Sequence, residues 1–326
     1  MEQYPRTALE FERQFASEAA CWDYLSQLRW PDGFRCPRCG GAEAWNTGRG
    51  LYHCRGCNLQ TSITAGTIFH GTRKPLRVWF EAMWYVTNQK HGVSAKGLAR
   101  VLGVDRYMTV WTWLHKLRVA MVRPGRDRLS GTVEVDETYI GGPRLGKRGR
   151  GAEGKCLVLV AVEDKGKGLG RIRLRQIADA SANSLTPAVT DAIEPGSVIR
   201  TDDWKGYNRL PSQGYSRQIA RKTADVGENL LPLANRVISL LKRWLGGTHQ
   251  GAVRPSHLDY YLDEFTFRFN RRTSASRGKL FYRLLQQAAA VGSVSDQRVL
   301  ASRAPDSQPQ HMGVLEPTDH PNSIIS

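Results

Sequence analysis

The chain of 326 residues predicts a mixed α/β domain, a sheet flanked by helices, preceded by a small metal-held ribbon and a helical segment. Three observations predict it. Four cysteines fall in two C-x-x-C pairs near the amino terminus, apolar residues then recur at helical spacing, and from Gly131 the pattern turns to runs of strand length. In that last region "TVEVDETYIGG" alternates, "KCLVLVAVED" is continuous as in a buried central strand, and "RIRLRQIAD" alternates again. "SLTPAVTDAI" reads as a helix and "GSVIRTDDWKGY" as a strand that ends in acids. The order β-β-β-α-β-α is what a ribonuclease-H-like fold needs. The expected units are a ribbon over 15–70, a helical segment over 75–122, the α/β domain with basic C-terminal helices over 128–290, and a disordered tail over 291–326.

The ribbon rests on Cys36/Cys39 and Cys54/Cys57. Two such knuckles can wrap four thiolates tetrahedrally around one zinc, with glycine after Cys39 and before Cys57 letting the backbone turn tightly. His53 adjoins the set, but four cysteines already close the shell. Cys21 and Cys156 stand in apolar settings and read as packing residues.

Pro75 opens the helix "LRVWFEAMWYVTNQ". Next, "GVSAKGLARVLGVDRYMTVWTWLHKLRVAM" has the rhythm of a helix-turn-helix: Ser94 as cap, Leu98, Ala99 and Leu102 inward, Gly103 at the turn, then Val110, Trp113, Leu114 and Leu117. Its second helix would offer Arg106, Thr109 and Lys116 to DNA. A plain helical hairpin packed on a neighbour fits the same pattern.

Lysine and arginine outnumber aspartate and glutamate 47 to 30, a formal charge of +17 that suits a polyanionic partner. The excess concentrates between Lys205 and Arg283, with fifteen basic residues against five acidic. Within it Arg243, Arg268, Arg271, Arg272, Arg277 and Lys279 can line a phosphate track. The amino terminus lacks the apolar core of a signal peptide and the longest apolar run, residues 156–162, is too short for a bilayer, so a cytoplasmic protein without a membrane partner is expected.

Asp136 sits mid-strand in "VEVDET" and Asp202 ends "SVIRTD". Each alone could be a solvated or turn-capping position. In a ribonuclease-H-like sheet the two positions are adjacent, and two hard cations held there would sit about 3.5–4 Å apart, clamping both reacting oxygens of a phosphodiester. A third ligand must come from a helix beside those strands, and "LPLANRVISLLKRWLGG" supplies one. Asn235, Ser239 and Lys242 fall within about 60° of one another, opposite the stripe Leu230, Leu233, Val237, Leu241, Trp244, and Gly246 and Gly247 read as the helix's left-handed stop. The carbonyl of Asn235 can ligate magnesium, whereas Lys242 can neutralise the phosphate under attack. Glu228, just before the helix, is the fallback ligand.

With "CPRC", "CRGC", "VEVDETYIGG", "TDDWKGY", "LKRWLGGTHQG" and "YLDEFTFRFNRR" in this order over residues 15–285, the sequence resembles the bacterial insertion-sequence transposases that join a zinc ribbon to a ribonuclease-H-like catalytic domain of the DDE type. The resemblance implies cleavage at the element's terminal inverted repeats and joining of the freed 3′ ends to target DNA, with two Mg²⁺ or Mn²⁺ ions and one structural zinc per chain. By position Asp136 and Asp202 look like the first two acids, Asn235 like the third site and Lys242 like the lysine that follows it. A homo-oligomer is implied, since two element ends must be held together, and so is a place on the nucleoid. An alternative is a catalytically inactive zinc-ribbon and helix-turn-helix DNA-binding protein derived from such an enzyme.

Overall fold

The computed structural model describes residues 3–47, 50–123, 125–141, 155–166, 168–220, 230–251 and 253–300. Two short helices, α1 (Ala8–Gln14) and α2 (Glu18–Arg29), precede a three-stranded antiparallel ribbon, β1 (Ala44–Asn46), β2 (Leu51–Cys54) and β3 (Gln60–Ser62). The ribbon leans on α2, where Tyr52 bonds Ser26 at 2.9 Å and Arg29 donates to the carbonyls of Ser62 and Ile63.

Three helices follow: α3 (Leu76–Asn88), α4 (Ala95–Leu102) and α5 (Tyr107–Ala120). Ser94 caps α4 by accepting from Gly97 N, and Gly103 ends it at φ 60, a left-handed turn for which glycine is the default residue. Pro75 leaves α3 without a cap of its own. The Glu18 carboxylate replaces it, accepting from Leu76 N at 2.7 Å and Arg77 N at 3.0 Å.

The second unit is a five-stranded sheet of order β6-β5-β4-β7-β8, from β4 (Thr132–Ile140), β5 (Cys156–Asp164), β6 (Leu169–Ile177), β7 (Val198–Thr201) and β8 (Ser216–Ile219). The first three form an antiparallel meander, and β7 and β8 add in parallel after α6 (Ala182–Ala192). Odd residues of β4, Val133 and Val135, pack with α6, while the other face is covered by α7 (Pro232–Thr248) and α8 (Leu258–Phe269). The carboxamide of Asn270 pairs with both backbone groups of Ile172, closing the outer edge of β6. This is the mixed sheet flanked by helices expected for a ribonuclease-H-like domain.

The C-terminal helices depart from expectation. α9 (Arg277–Ala290) does not join the five-stranded sheet; Phe281, Leu284, Leu285 and Ala288 insert into the core of α1, α2, α3 and α5. Nor does order end at 290. α10 (Asp296–Leu300) follows, with Val299 fully buried and Asp296 paired to Lys116 at 2.8 Å. Two apolar side chains, Val294 and Val299, hold to the core a stretch whose polar composition suggested disorder. The expected tail from 301 onward lies outside the described residues, as does Glu228.

Candidate active site and zinc centre

In the ribbon, the four cysteine sulfurs lie within 4.8 Å of one another. The Sγ atoms of Cys36 and Cys57 are 3.5 Å apart and those of Cys39 and Cys54 3.6 Å, far beyond a disulfide bond and near the ~3.8 Å edge of a tetrahedron of zinc–sulfur bonds. The quartet is a zinc-binding site. Each knuckle ends on a residue with positive φ, Gly40 (71°) and Asn58 (56°). The left-handed position thus follows the second cysteine in both, and asparagine fills it in the second knuckle, where Gly56 had been expected to relieve the turn. His53 stacks on Trp45 instead of joining the sulfurs. Cys21 is fully buried, which pushes its thiol up to about 12, and Cys156 is buried too, so both are packing residues.

The acids meet on the sheet. Parallel pairing of β4 and β7 ends with Glu134 opposite Arg200; Asp136 and Asp202 each lie two residues beyond that pair, near enough for the charge of Asp202 to act on Asp136. Ligands of open α/β sheets bind at such carboxyl ends, beside the strand where connection direction switches. Asp136 accepts from the N–H of Glu137 at 2.8 Å and Asp202 from that of Trp204 at 3.1 Å. Arg217 of β8 pins the loop after Asp202 by donating to Thr201 Oγ1 and to the carbonyls of Asp202 and Trp204.

Burial first, then the like charges of Asp202 and Glu134, hold the Asp136 carboxyl above the usual carboxylate range, while Lys242 pulls it down. The site therefore carries unneutralised negative charge that a cation would relieve. Tyr207, fully buried, donates to Glu137 at 2.5 Å; burial and the neighbouring Glu137, Asp136 and Asp202 raise its phenol well above its ordinary value and keep the proton on it.

α7 lies across β4 and β5 and has no side-chain cap of its own. Glu134, two residues before Asp136 on the same face, accepts from Leu233 N at 2.8 Å and Ala234 N at 3.0 Å and so fastens the first turn of α7 to the strand. The next residue is Asn235, exposed, with Ser239 and Lys242 following on its stripe. The buried side of α7 is Ala234, Val237, Ile238, Leu241 and Leu245, one step round from the expected stripe, because Leu230 precedes the helix and Trp244 is only half-buried. Gly246 and Gly247 do not stop the helix; it runs to Thr248, and the left-handed residues are Gln250 and Gly251.

The sequence does not single out Glu134, Glu137 or Tyr207. The signal for Glu134 was its spacing of two from Asp136 in a strand covered on that face. The expected DNA contacts divide. Arg106 is exposed at the start of α5 beside exposed Tyr107 and Met108, and Thr109 is half-buried in the first turn. Lys116, by contrast, is buried and paired to Asp296. Arg268 is spent on Glu264 at 2.8 Å and on the carbonyls of Gln89 and Val86. Arg271 lies half-buried over Phe267 at 4.2 Å. Arg272 is exposed, its guanidinium over the Phe269 ring and bonded to the carbonyls of Leu169, Gly170 and Phe269. Arg243 and Lys279 are exposed, and Arg277 is half-buried at the start of α9.

Among the described residues no helix is long and apolar enough to cross a membrane. Residues 128–270 match the ISXO2-like transposase domain, and residues 16–60 match the transposase zinc-ribbon domain. The "Uncharacterized protein in transposable element ISH50" of Halobacterium salinarum is 26% identical over 279 residues, which cover 78% of this chain and 92% of that protein. With a thiolate quartet in the first matched segment and paired acids on a ribonuclease-H-like sheet in the second, the chain belongs to the insertion-sequence transposases built from a zinc ribbon and an ISXO2-like transposase domain.

Proposed function

We propose that this transposase binds the terminal inverted repeats of its own element and carries out divalent-metal-dependent strand cleavage and strand transfer with Asp136, Asp202, Asn235 and Lys242. The observation that carries the reading is the juxtaposition of Asp136 and Asp202 at the end of a parallel strand pair, with Lys242 of α7 in the electrostatic field of Asp136. The donor set fits Mg²⁺ or Mn²⁺: two carboxylates whose repulsion raises one of them, and a neutral amide oxygen one turn into the covering helix. Such ions, when bound, supply Lewis-acid activation of the attacking oxygen and stabilise the leaving one.

The protein's own groups do the rest. Glu134 holds α7, and with it Asn235, over the strand that carries Asp136. Lys242 meets the non-bridging oxygens of the phosphate under attack, in a site where developing charge is poorly screened. Arg217 and the Tyr207–Glu137 bond keep the Asp202 loop and the end of β4 from shifting when charge enters. The exposed start of α5, with Arg106 and Thr109, reads the element ends, while Arg243, Arg272, Arg277 and Lys279 follow the phosphates. Two ends require at least two copies of the chain on DNA.

The test is a strand-transfer assay on labelled duplex from the gene's flanks in Mg²⁺ and Mn²⁺, comparing wild type with Asn235→Ala and Asn235→Glu. Joining by wild type and its loss in Asn235→Ala support the reading. Inert wild type with activity gained in Asn235→Glu shows instead a DNA-binding protein that has lost its third ligand.

A further inference from the structure

α7 does not stop where its two glycines stand. Gly246 and Gly247 are helical, and no atom lies within 4 Å of where a Cβ would sit on either. Neither a left-handed turn nor tight packing requires glycine at these positions, so the bare backbone matches the approach of something outside the chain. Gly246 lies on the stripe of Asn235, Ser239 and Lys242, and Gly247 on that of Arg236, Leu240 and Arg243.

Gly247 opens onto a groove of about 650 Å³ between the end of α3 and helices α7, α8 and α9, a size within the range of small-ligand sites. Its floor is apolar, with Leu240, Trp244 and Phe265, and its rim is cationic, with Lys90, Arg243 and Arg277. Among the described residues none of Arg236, Arg243 and Arg277 is in an ion pair. Of the two other arginines on the lining, Arg268 is spent on Glu264, while burial and then the like charge of Arg236 hold the Arg272 guanidinium below its ordinary value. An aromatic floor under an unbalanced cationic rim is the chemistry of a nucleotide removed from its stack: ring on ring, phosphate on arginine.

Resting on the transposase reading above, we propose that the DNA strand held at Asp136 and Asp202 continues along α7 across Gly246 and Gly247, and that one of its nucleotides, unstacked from the duplex, occupies this groove. From Asn235 to Gly246 the helix rises about 16 Å, which is roughly five nucleotides of one strand at 3.4 Å each. The occupied position therefore lies near the fifth nucleotide from the reacting phosphate.

The experiment places 2-aminopurine singly at each position of the terminal turn of the flanking duplex and reads its fluorescence on binding full-length protein without divalent metal. Wild type should give one bright position near the fifth nucleotide. Gly247→Leu, whose side chain enters open space, should abolish that signal and weaken binding roughly tenfold, the loss of one stacked base, with an unchanged or higher melting temperature. A signal flat at every position, or Gly247→Leu binding as wild type does, overturns the inference while leaving a protein that joins DNA a transposase. A change of oligomeric state in Gly247→Leu without DNA would assign the groove to a second copy and overturn it too. Failure of wild type to bind the duplex at all would sink the transposase reading and the inference together.

Discussion

At the residue scale the site is electrostatically uncomfortable by construction, and the discomfort is measurable. Asp136 keeps its proton more readily in the folded chain than in the unfolded one, because burial and the charges of Asp202 and Glu134 oppose its ionisation. A carboxyl raised in this way costs stability once pH exceeds its folded pKa and costs nothing below its unfolded one. Asp136→Asn should therefore raise the melting temperature at neutral pH, by on the order of 2 °C, with the gain vanishing in acid and cleavage abolished throughout. Thermal melts at pH 7 and pH 3.5 beside the strand-transfer assay check this; a melting temperature lowered at pH 7 would mean the carboxylate is already balanced. Burial likewise holds the Glu134 carboxyl above its ordinary value, against the two bonds it accepts from the N–H groups of Leu233 and Ala234, and those bonds fasten α7 to the strand. Glu134→Ala should destabilise by about 1–2 kcal/mol, as losing a helix cap does, and slow joining as Asn235 drifts. Glu134→Gln, which retains an acceptor oxygen, should recover most of both, and equal losses in the two variants would argue against the cap.

At the element scale, two helices with no side-chain cap of their own, α3 and α7, are capped by acids from other elements, Glu18 and Glu134. That arrangement is invisible to local reading, whereas Ser94 before α4 was legible because the cap and the capped N–H are three residues apart. The same divide explains which site residues could be read. Asp136 and Asp202 follow from strand order and register, and the cysteines from spacing. Lys116 looks like a phosphate ligand in the sequence because its partner Asp296 lies far along the chain; Arg268 has a local partner in Glu264, four residues earlier, but the carbonyls of Val86 and Gln89 that take up its remaining N–H groups are as distant. Spacing on α5 therefore makes a clean comparison. Arg106→Ala should reduce the slope of log affinity against log salt by about 0.9, one phosphate contact, whereas Lys116→Met should leave the slope unchanged and loosen α10. Salt titrations of DNA binding decide it; a slope lowered by Lys116→Met would return that residue to the DNA surface. The ribbon, too small for a core, depends on its metal: a chelator or Cys54→Ser should remove close to one zinc per chain and expose Tyr52 and Trp30, seen by metal analysis and fluorescence. Zinc retained in full by Cys54→Ser would show that the ligand set is wrong.

At the scale of the whole molecule, the chain leaves its helical unit at α5, builds the five-stranded sheet, and returns through α9 and α10 to complete the helical core. Helix α5 and the five-stranded sheet therefore belong to two lobes of one interleaved body, joined at a buried seam between α5 and α8. There Arg118 and Glu264, each with a side chain 2% exposed, pair at 2.8 Å, Arg118 covers the Tyr261 ring at 4.1 Å, and Arg268 closes the group from the same helix. Burial alone would raise the Glu264 carboxyl, but Arg268 and Arg118 outweigh it and hold it at about 2. Burial and Arg118 push His115 down to about 3 and His249 to about 4, so both rings are neutral in the seam. All three shifts favour the folded state at high pH. The histidine contributions fade as pH falls below about 6.5, and that of Glu264 fades below about 4.5. Acid should thus open the seam progressively, ahead of the sheet. Removing one partner leaves a buried charge, so Glu264→Leu should cost about 3–5 kcal/mol. Replacing the whole group, with Arg118→Met, Glu264→Leu and Arg268→Met together, removes the desolvation cost as well and should restore or exceed wild-type stability. If the ion cluster serves to fix the angle between lobes, that triple variant will melt like wild type, bind element ends, and join them slowly, because the strand read by α5 no longer arrives in line at Asp136. Wild-type joining by the stable triple variant would show that apolar packing alone sets the angle and that the charges are replaceable.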